Sequence, residues 1–467
     1  MRLNWHSSRF TTPLIILAVV LISVVVGQQL AGFSSKTALA ALFVFLLVLI
    51  VFVDTDAGLV ILIFSMLLSP EISIAKVPGR DVVIRLDDIL LAAITFSWLA
   101  KAAIYKGLGL IKRTPLNKAI GLYVLICVIS TLRGMVLGHV VPLKGLFYLL
   151  RYTEYFLLYF LVVNQIHSKK QIKFFMTAFF ITCTIVSVYG LMQIPTGERV
   201  SAPFEGKVGE PNTFGAYLLL MFCLSLGIFF QNIGAQTNLW LLGLCGLIVL
   251  PFLYTLSRAS YVGFAFSFLA LIILHKKKAV LTIMALVLIV SGFVLRPKAI
   301  FSRVEYTFQQ KQPDVVPFLG TYLDPSSSAR IYSWRDSLQG WQEQPILGRG
   351  ITGFRFIDGQ YILTLPELGA VGLLALLWLL WLVLKHSLRV WKETEDEYYK
   401  GLVFGYIAGF IGLAFHALTA NTFILLRVME PFWFITGIVM SLPMLKKNMQ
   451  ETAQPIKSSS QGRNLKG

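Results

Sequence analysis

Four residues in the second half of the chain have the types and spacing for anion and proton chemistry. Arg258 lies in YTLSRASYVG, at a short turn between two apolar runs. Arg330 and Arg335 lie in SSSARIYSWRDS, and Asp358 follows in FIDGQY. A guanidinium held at a membrane surface can take a phosphate or diphosphate by a two-pronged contact, and the Ser257 hydroxyl can add a hydrogen bond. Arg330 reads as part of a first helical turn, where the helix N-terminus also favours an anion. Asp358 can accept a proton from a hydroxyl as that oxygen attacks. Each has a plainer reading. Arg258 snorkels to the interface, Arg330 and Arg335 are solvated, and Asp358 caps the helix that follows. Arg349 and Arg355, flanking a glycine turn, are weaker candidates.

A second tier surrounds these four. Glu367 sits inside the apolar run LPELGAVG, where a carboxylate is costly unless paired. It either does chemistry or holds an arginine in place. Tyr361 stands three residues after Asp358. Glu210 and Asn212 open another span in EPNTF, and Asn212 either caps it or contacts a sugar. His416, in AFHALTANTF, is either a satisfied core histidine or a binding group. Arg151 and Glu154, at i and i+3, read as an ion pair within one helix. The cysteines 127, 183, 223 and 245 all fall in apolar runs without metal-ligand spacing and read as small buried residues. No metal or cofactor is expected. Asp87 and Asp88 are adjacent, and Asp54 with Asp56 lie on the inward side, so no DxD motif stands in an outward loop.

The elements that must position these residues are membrane helices. The 467 residues are 56% hydrophobic and only 14% charged, with a mean hydropathy of +0.74. Many apolar runs exceed the about 17 residues that span a bilayer. The expected fold is all-α: a polytopic bundle of about 12–14 spans, centred from near Val20 to near Ile435, with one large periplasmic loop. The first run reads as a retained helix, not a cleaved leader. One set of alternate loops carries roughly twice the Lys and Arg of the other, which puts both termini in the cytoplasm. The net charge of +18 is therefore mostly a topology signal plus attraction to membrane lipids, and no basic stripe suggests nucleic acid. The expected divisions are N-terminal helices over 1–295, the large outer loop with short helices over 296–360, C-terminal helices over 361–445, and a disordered cytoplasmic tail over 446–467.

Several segments taken in order resemble the bacterial O-antigen ligase and polymerase superfamily. They are EPNTFGAYL (210–218), LSRASYVG (256–263), ARIYSW with QPILGRGITGF (329–354), and DGQYILTLPELGAVG (358–372). The resemblance covers roughly the C-terminal 60% of the chain; the N-terminal spans match only in hydropathy. It implies an inner-membrane enzyme with a periplasmic active site. Such an enzyme performs inverting, metal-independent glycosyl transfer from an undecaprenyl-diphosphate-linked glycan to a glycan or lipid-linked acceptor, for surface polysaccharide assembly. By that resemblance Arg258 and Arg330 bind the diphosphate. Arg335, Glu210, Asn212, Tyr361, Glu367 and His416 are expected to bind substrate. The ligases carry a histidine before a GxxG that Gly369 and Gly372 supply here, and Asp358 stands at the histidine's position. This departure leans toward a polymerase rather than lipid A-core ligation.

Two other classes fit parts of the pattern. A transporter or flippase of a lipid-linked substrate suits the span count, but the arginine-bearing outer loop argues against it. A non-enzymatic member of an envelope polysaccharide assembly would use that loop as a docking surface.

Overall fold

The computed structural model describes residues 45–77, 80–104, 111–205, 209–231, 239–275, 278–284, 317–318, 321–322 and 325–453. The expected spans near Val20 and Leu286, most of the large loop before residue 325, and the tail from 454 lie outside the described residues. Twelve of the described elements are helices, taken here as α1 to α12: Thr55–Leu68, Leu86–Ile104, Asn117–Val136, Pro142–Gln165, Lys169–Gln193, Pro211–Gln231, Leu239–Tyr254, Arg258–Leu274, Pro325–Glu343, Gln360–Glu393, Glu397–His416 and Leu426–Ala453. Among the described residues, seven helices are long and apolar enough to cross a membrane, and α1, α7 and α8 are shorter apolar helices. The all-α architecture therefore holds. Two antiparallel hairpins decorate it: β1 (Ile72–Val77) with β2 (Arg80–Ile84), and β3 (Pro317–Phe318) with β4 (Thr321–Tyr322). The last helix runs to Ala453, past the expected start of the tail at 446.

The bundle is built around α6. Of its most apolar window 94% is buried, against 44% for α3 at the periphery. An apolar helix has no hydrophobic drive to leave lipid for another helix, so close backbone approach must supply the contact energy. Glycines provide it. A Cβ on Gly227 of α6 would lie 2.5 Å from Gly405 Cα, and one on Gly401 would lie 2.7 Å from the Gly227 carbonyl oxygen. On the next turns of α11, Gly412 meets α8, where a Cβ on Gly263 would reach 2.7 Å from the Gly412 oxygen. The small residues of α11 thus seat α6 and α8 against one helix. Both helices that start at the proposed site, α6 at Pro211 and α8 at Arg258, are held this way.

The helix α10 is broken in the middle. Gly369 has φ 71° and ψ −174°, and Pro366 precedes it. A break inside a membrane leaves backbone groups that must be satisfied by protein. The segment from Pro345 to Gly350 does so. The amides of Arg349 and Gly350 donate to the Pro366 and Glu367 carbonyls, both at 2.8 Å. In return the amides of Ala370 and Val371 donate to the Pro345 and Ile346 carbonyls, at 2.8 and 3.2 Å. From α3, Arg133 donates to the Gly348 carbonyl at 2.9 Å, and Ser130 to the Leu347 and Glu367 carbonyls. Gly369 is required here, because a Cβ would overlap the Ile346 oxygen in a left-handed backbone.

Candidate functional site

The turn before α8 presents Arg258. Ser257 is its N-cap and accepts the Ser260 amide at 3.2 Å. The same hydroxyl donates to Asn212 Oδ1 on α6 at 2.7 Å. Arg258 in turn donates to the Ser327 hydroxyl, in the first turn of α9, at 2.6 Å. One turn further along α9, Arg330 Nε pairs with Asp358 Oδ2 at 3.0 Å. Trp334, again one turn on, donates its indole N–H to the Asp358 carbonyl at 2.7 Å. Ser327, Arg330 and Trp334 lie on one face of α9 by spacing. That face brings the two arginines and the carboxylate into a single neighbourhood, although 100 residues separate Arg258 from Asp358. The side chains of Arg330 and Asp358 are 26% and 42% exposed, so the pair is open to solvent.

The chain around Asp358 is held from the other side. The Asn421 side-chain amide donates to the Ile357 carbonyl at 2.7 Å. The Gln360 amide donates to the Ala417 carbonyl at 3.0 Å, and its side-chain oxygen accepts the Phe423 amide at 3.1 Å. Tyr361 donates its hydroxyl to the Ala414 carbonyl at 2.9 Å. His416, fully buried, pairs Nδ1 with the Thr422 hydroxyl at 2.7 Å. Tyr361 is thus tied to the last turn of α11, and His416 to the 417–423 turn.

Some expected local roles differ. Asp358 does not cap α10: Gly359 occupies that position with φ 107°, and the carboxylate turns to Arg330. Asn212 lies within α6 and receives Ser257 instead of capping. Arg330 falls in the second turn of α9, because that helix begins at Pro325. Glu367 holds backbone: its Oε1 accepts the Thr352 amide at 2.9 Å. Arg151 stands over the Phe147 ring at 5.8 Å, and Glu154 interacts electrostatically with Arg85 and Asp88 as well as with Arg151. Glu210 is exposed and accepts the Thr213 hydroxyl at 2.9 Å. Arg335 is exposed on α9.

Residues that the sequence left unremarked organise the surroundings. Arg427, 4% exposed, donates to the carbonyls of Leu67 and Pro203 at 3.0 Å and of Ser69 and Phe204 at 3.2 Å. Glu71 and Glu205 lie 3.6 and 3.8 Å from it. Burial pushes the Glu205 carboxyl up to about 8, with Arg427 offsetting part of the effect. A charge inside an apolar run, as in LLRVMEPF, was the available signal.

Among the described residues, Asp87, Asp88 and Glu430 have the spacing for a metal ion, with ligand oxygens within 4.8 Å of one another. Arg85 NH2 stands 2.5 Å from Asp87 Oδ2 and 3.1 Å from Glu430 Oε1, so a guanidinium already fills the space a cation needs. A cavity of approximately 450 Å³ lined by Trp381, Lys385, Arg389 and Lys392 belongs to the far half of α10 and shares no residue with the arginine–aspartate cluster.

Residues 241–368 match the family described as O-Antigen ligase. The matched segment, less than half of the chain, runs from α7 to the break in α10. It contains Arg258, Arg330, Asp358 and Glu367; Glu210, Asn212 and His416 lie outside it. A search of curated proteins finds none that matches. The chain is a multi-pass membrane protein, and its segment 241–368 is similar to the O-antigen ligase family.

Proposed function

We propose that this chain is an inner-membrane glycosyltransferase that transfers or polymerises glycan from an undecaprenyl-diphosphate-linked donor at the periplasmic face. The observation that carries the proposal is the convergence of Arg258 and Arg330 on one face of α9 beside Asp358. In this reading residues 296–360 form the periplasmic loop and residues 1–295 and 361–445 the membrane part. Both termini face the cytoplasm, and envelope polysaccharide assembly proteins are candidate partners.

The reaction follows from the charges. An acceptor sugar hydroxyl attacks the anomeric carbon, forming the new C–O bond as the bond to the diphosphate oxygen breaks. The electron pair leaves with the diphosphate, whose growing charge Arg258 and Arg330 stabilise. The hydroxyl proton passes to Asp358, and attack opposite the leaving group inverts the anomeric centre. Asp358 starts in an ion pair with Arg330, so its carboxylate is occupied before the donor arrives. A diphosphate that takes over the Arg330 guanidinium releases the carboxylate, so the base is freed when the donor is bound. That order limits loss of donor to water.

The test is reconstitution of purified protein with a lipid-linked oligosaccharide pool, read by gel and mass spectrometry. A ladder of longer lipid-linked glycans that vanishes in Asp358→Ala indicates a polymerase centred on that residue. A single glycan on a separate acceptor indicates a ligase. Absence of any covalent product, with substrate moved across vesicles, overturns the proposal in favour of transport.

A further inference from the structure

The turn that carries Arg258 contains a residue in an unfavourable backbone state. Leu256 has φ 50°, one of three non-glycine residues with positive φ among those described. Leucine reaches this region only when the surroundings enforce it. The turn also follows directly on the C-terminus of α7, where helix carbonyls lack intrahelical partners. Three successive carbonyls there are taken by two residues from the 194–210 loop. Val200 N–H donates to Tyr254 at 3.0 Å, Arg199 Nε to Thr255 at 2.9 Å, and Arg199 NH2 to Leu256 at 3.4 Å. The donor segment is itself fixed, because Gln193 exchanges two hydrogen bonds with the Ser201 backbone at 2.8 and 3.1 Å.

We infer that Arg199 is a positioning residue, which holds the strained Leu256 turn so that Ser257 and Arg258 face the anion site. The inference rests on the proposed role of Arg258 in binding the donor diphosphate. A cation at a helix C-terminus is favoured by the helix dipole, so the clamp is stable without touching substrate. Arg199 acts on the carbonyls of residues 255 and 256, and Asn212 acts on Ser257 from the opposite side. Together they leave the turn one orientation.

The test uses the full chain in nanodiscs, with undecaprenyl diphosphate as the binding probe and transfer kinetics as the second readout. Arg199→Ala is expected to raise the Kd for the probe and the donor KM about tenfold, the order of shift that left-handed strain at a non-glycine residue supplies. It should leave kcat within about threefold. Arg199→Lys, which keeps one donor, should recover part of the loss. The decisive variant is Leu256→Gly in the Arg199→Ala background. Glycine adopts the turn without strain, so binding should return most of the way to wild type. Unchanged binding in Arg199→Ala, or a defect of the same size with Leu256→Gly present, overturns the inference. Arg258→Ala is measured in parallel. If it binds the probe like wild type, the reading of the site itself fails; if it alone is impaired, only the role of Arg199 fails.

Discussion

Two arginines close to one end of the bundle are used in opposite ways. Arg427 is buried and tied to backbone: four carbonyls from two separate segments accept from it, and two carboxylates stand near. Arg330 is 26% exposed and gives Nε to one carboxylate, which is itself 42% exposed. Carbonyls cannot exchange for a ligand without unfolding the chain that carries them. A solvent-open carboxylate can. The difference separates an arginine that ties segments together from one that can hand its charge to an arriving anion.

The largest effect that tests this contrast is on turnover. Arg258→Ala or Arg330→Ala should lower glycan transfer by about 10²- to 10³-fold while the thermal midpoint of the purified protein stays near wild type. Equal losses of stability in these variants would erase the distinction. Arg427→Ala should do the reverse, lowering unfolding stability by about 3–5 kcal/mol because it strands Glu205 and several carbonyls. Detergent-solubilised thermal or chemical denaturation reads this directly. Gly369→Ala comes next. It places a side chain at φ 71° against the Ile346 oxygen and should cost about 1–3 kcal/mol or more, with Gly121→Ala as a comparison at a helical position with open space.

The smallest effect is in pH. The folded Glu205 carboxyl sits near 8, above its ordinary 4.5, so the folded chain binds that proton more tightly than the unfolded chain. The stability it contributes is complete below about pH 4.5 and is lost as pH rises through about 8. Glu205→Gln should flatten stability over that window. A slope identical to wild type would show that the Arg427 hub does not sense pH.

What was legible in the sequence was contiguous. The apolar runs gave the helical class, and the short motifs around Arg258, Arg330 and Asp358 stood out because polar residues interrupt an apolar background. What escaped was the long-range accounting of backbone groups. Arg427 finds the Leu67 carbonyl across 360 residues, and Arg85 finds Glu430 across 345. No local pattern encodes which carbonyls a bend will orphan. The capping alternative for Asp358 and Asn212 has the same origin: a short polar residue before a helix usually serves its own helix. Here each serves a neighbour, Arg330 and Ser257, because tertiary partners outcompete the local bond.

The hydrogen bonds exchanged across the broken helix have a mechanical meaning. They close residues 345 to 371 into a hoop whose two ends are stitched to each other, and Asp358 rides on that hoop. Arg258 rides on α8, clasped by α11 at Gly263 and Gly412. The base and the arginine are therefore moored to the same helix, the hoop through its bonds to Ala414 and Ala417 and α8 through Gly412. That common mooring sets their spacing, and α9 braces it from the other side.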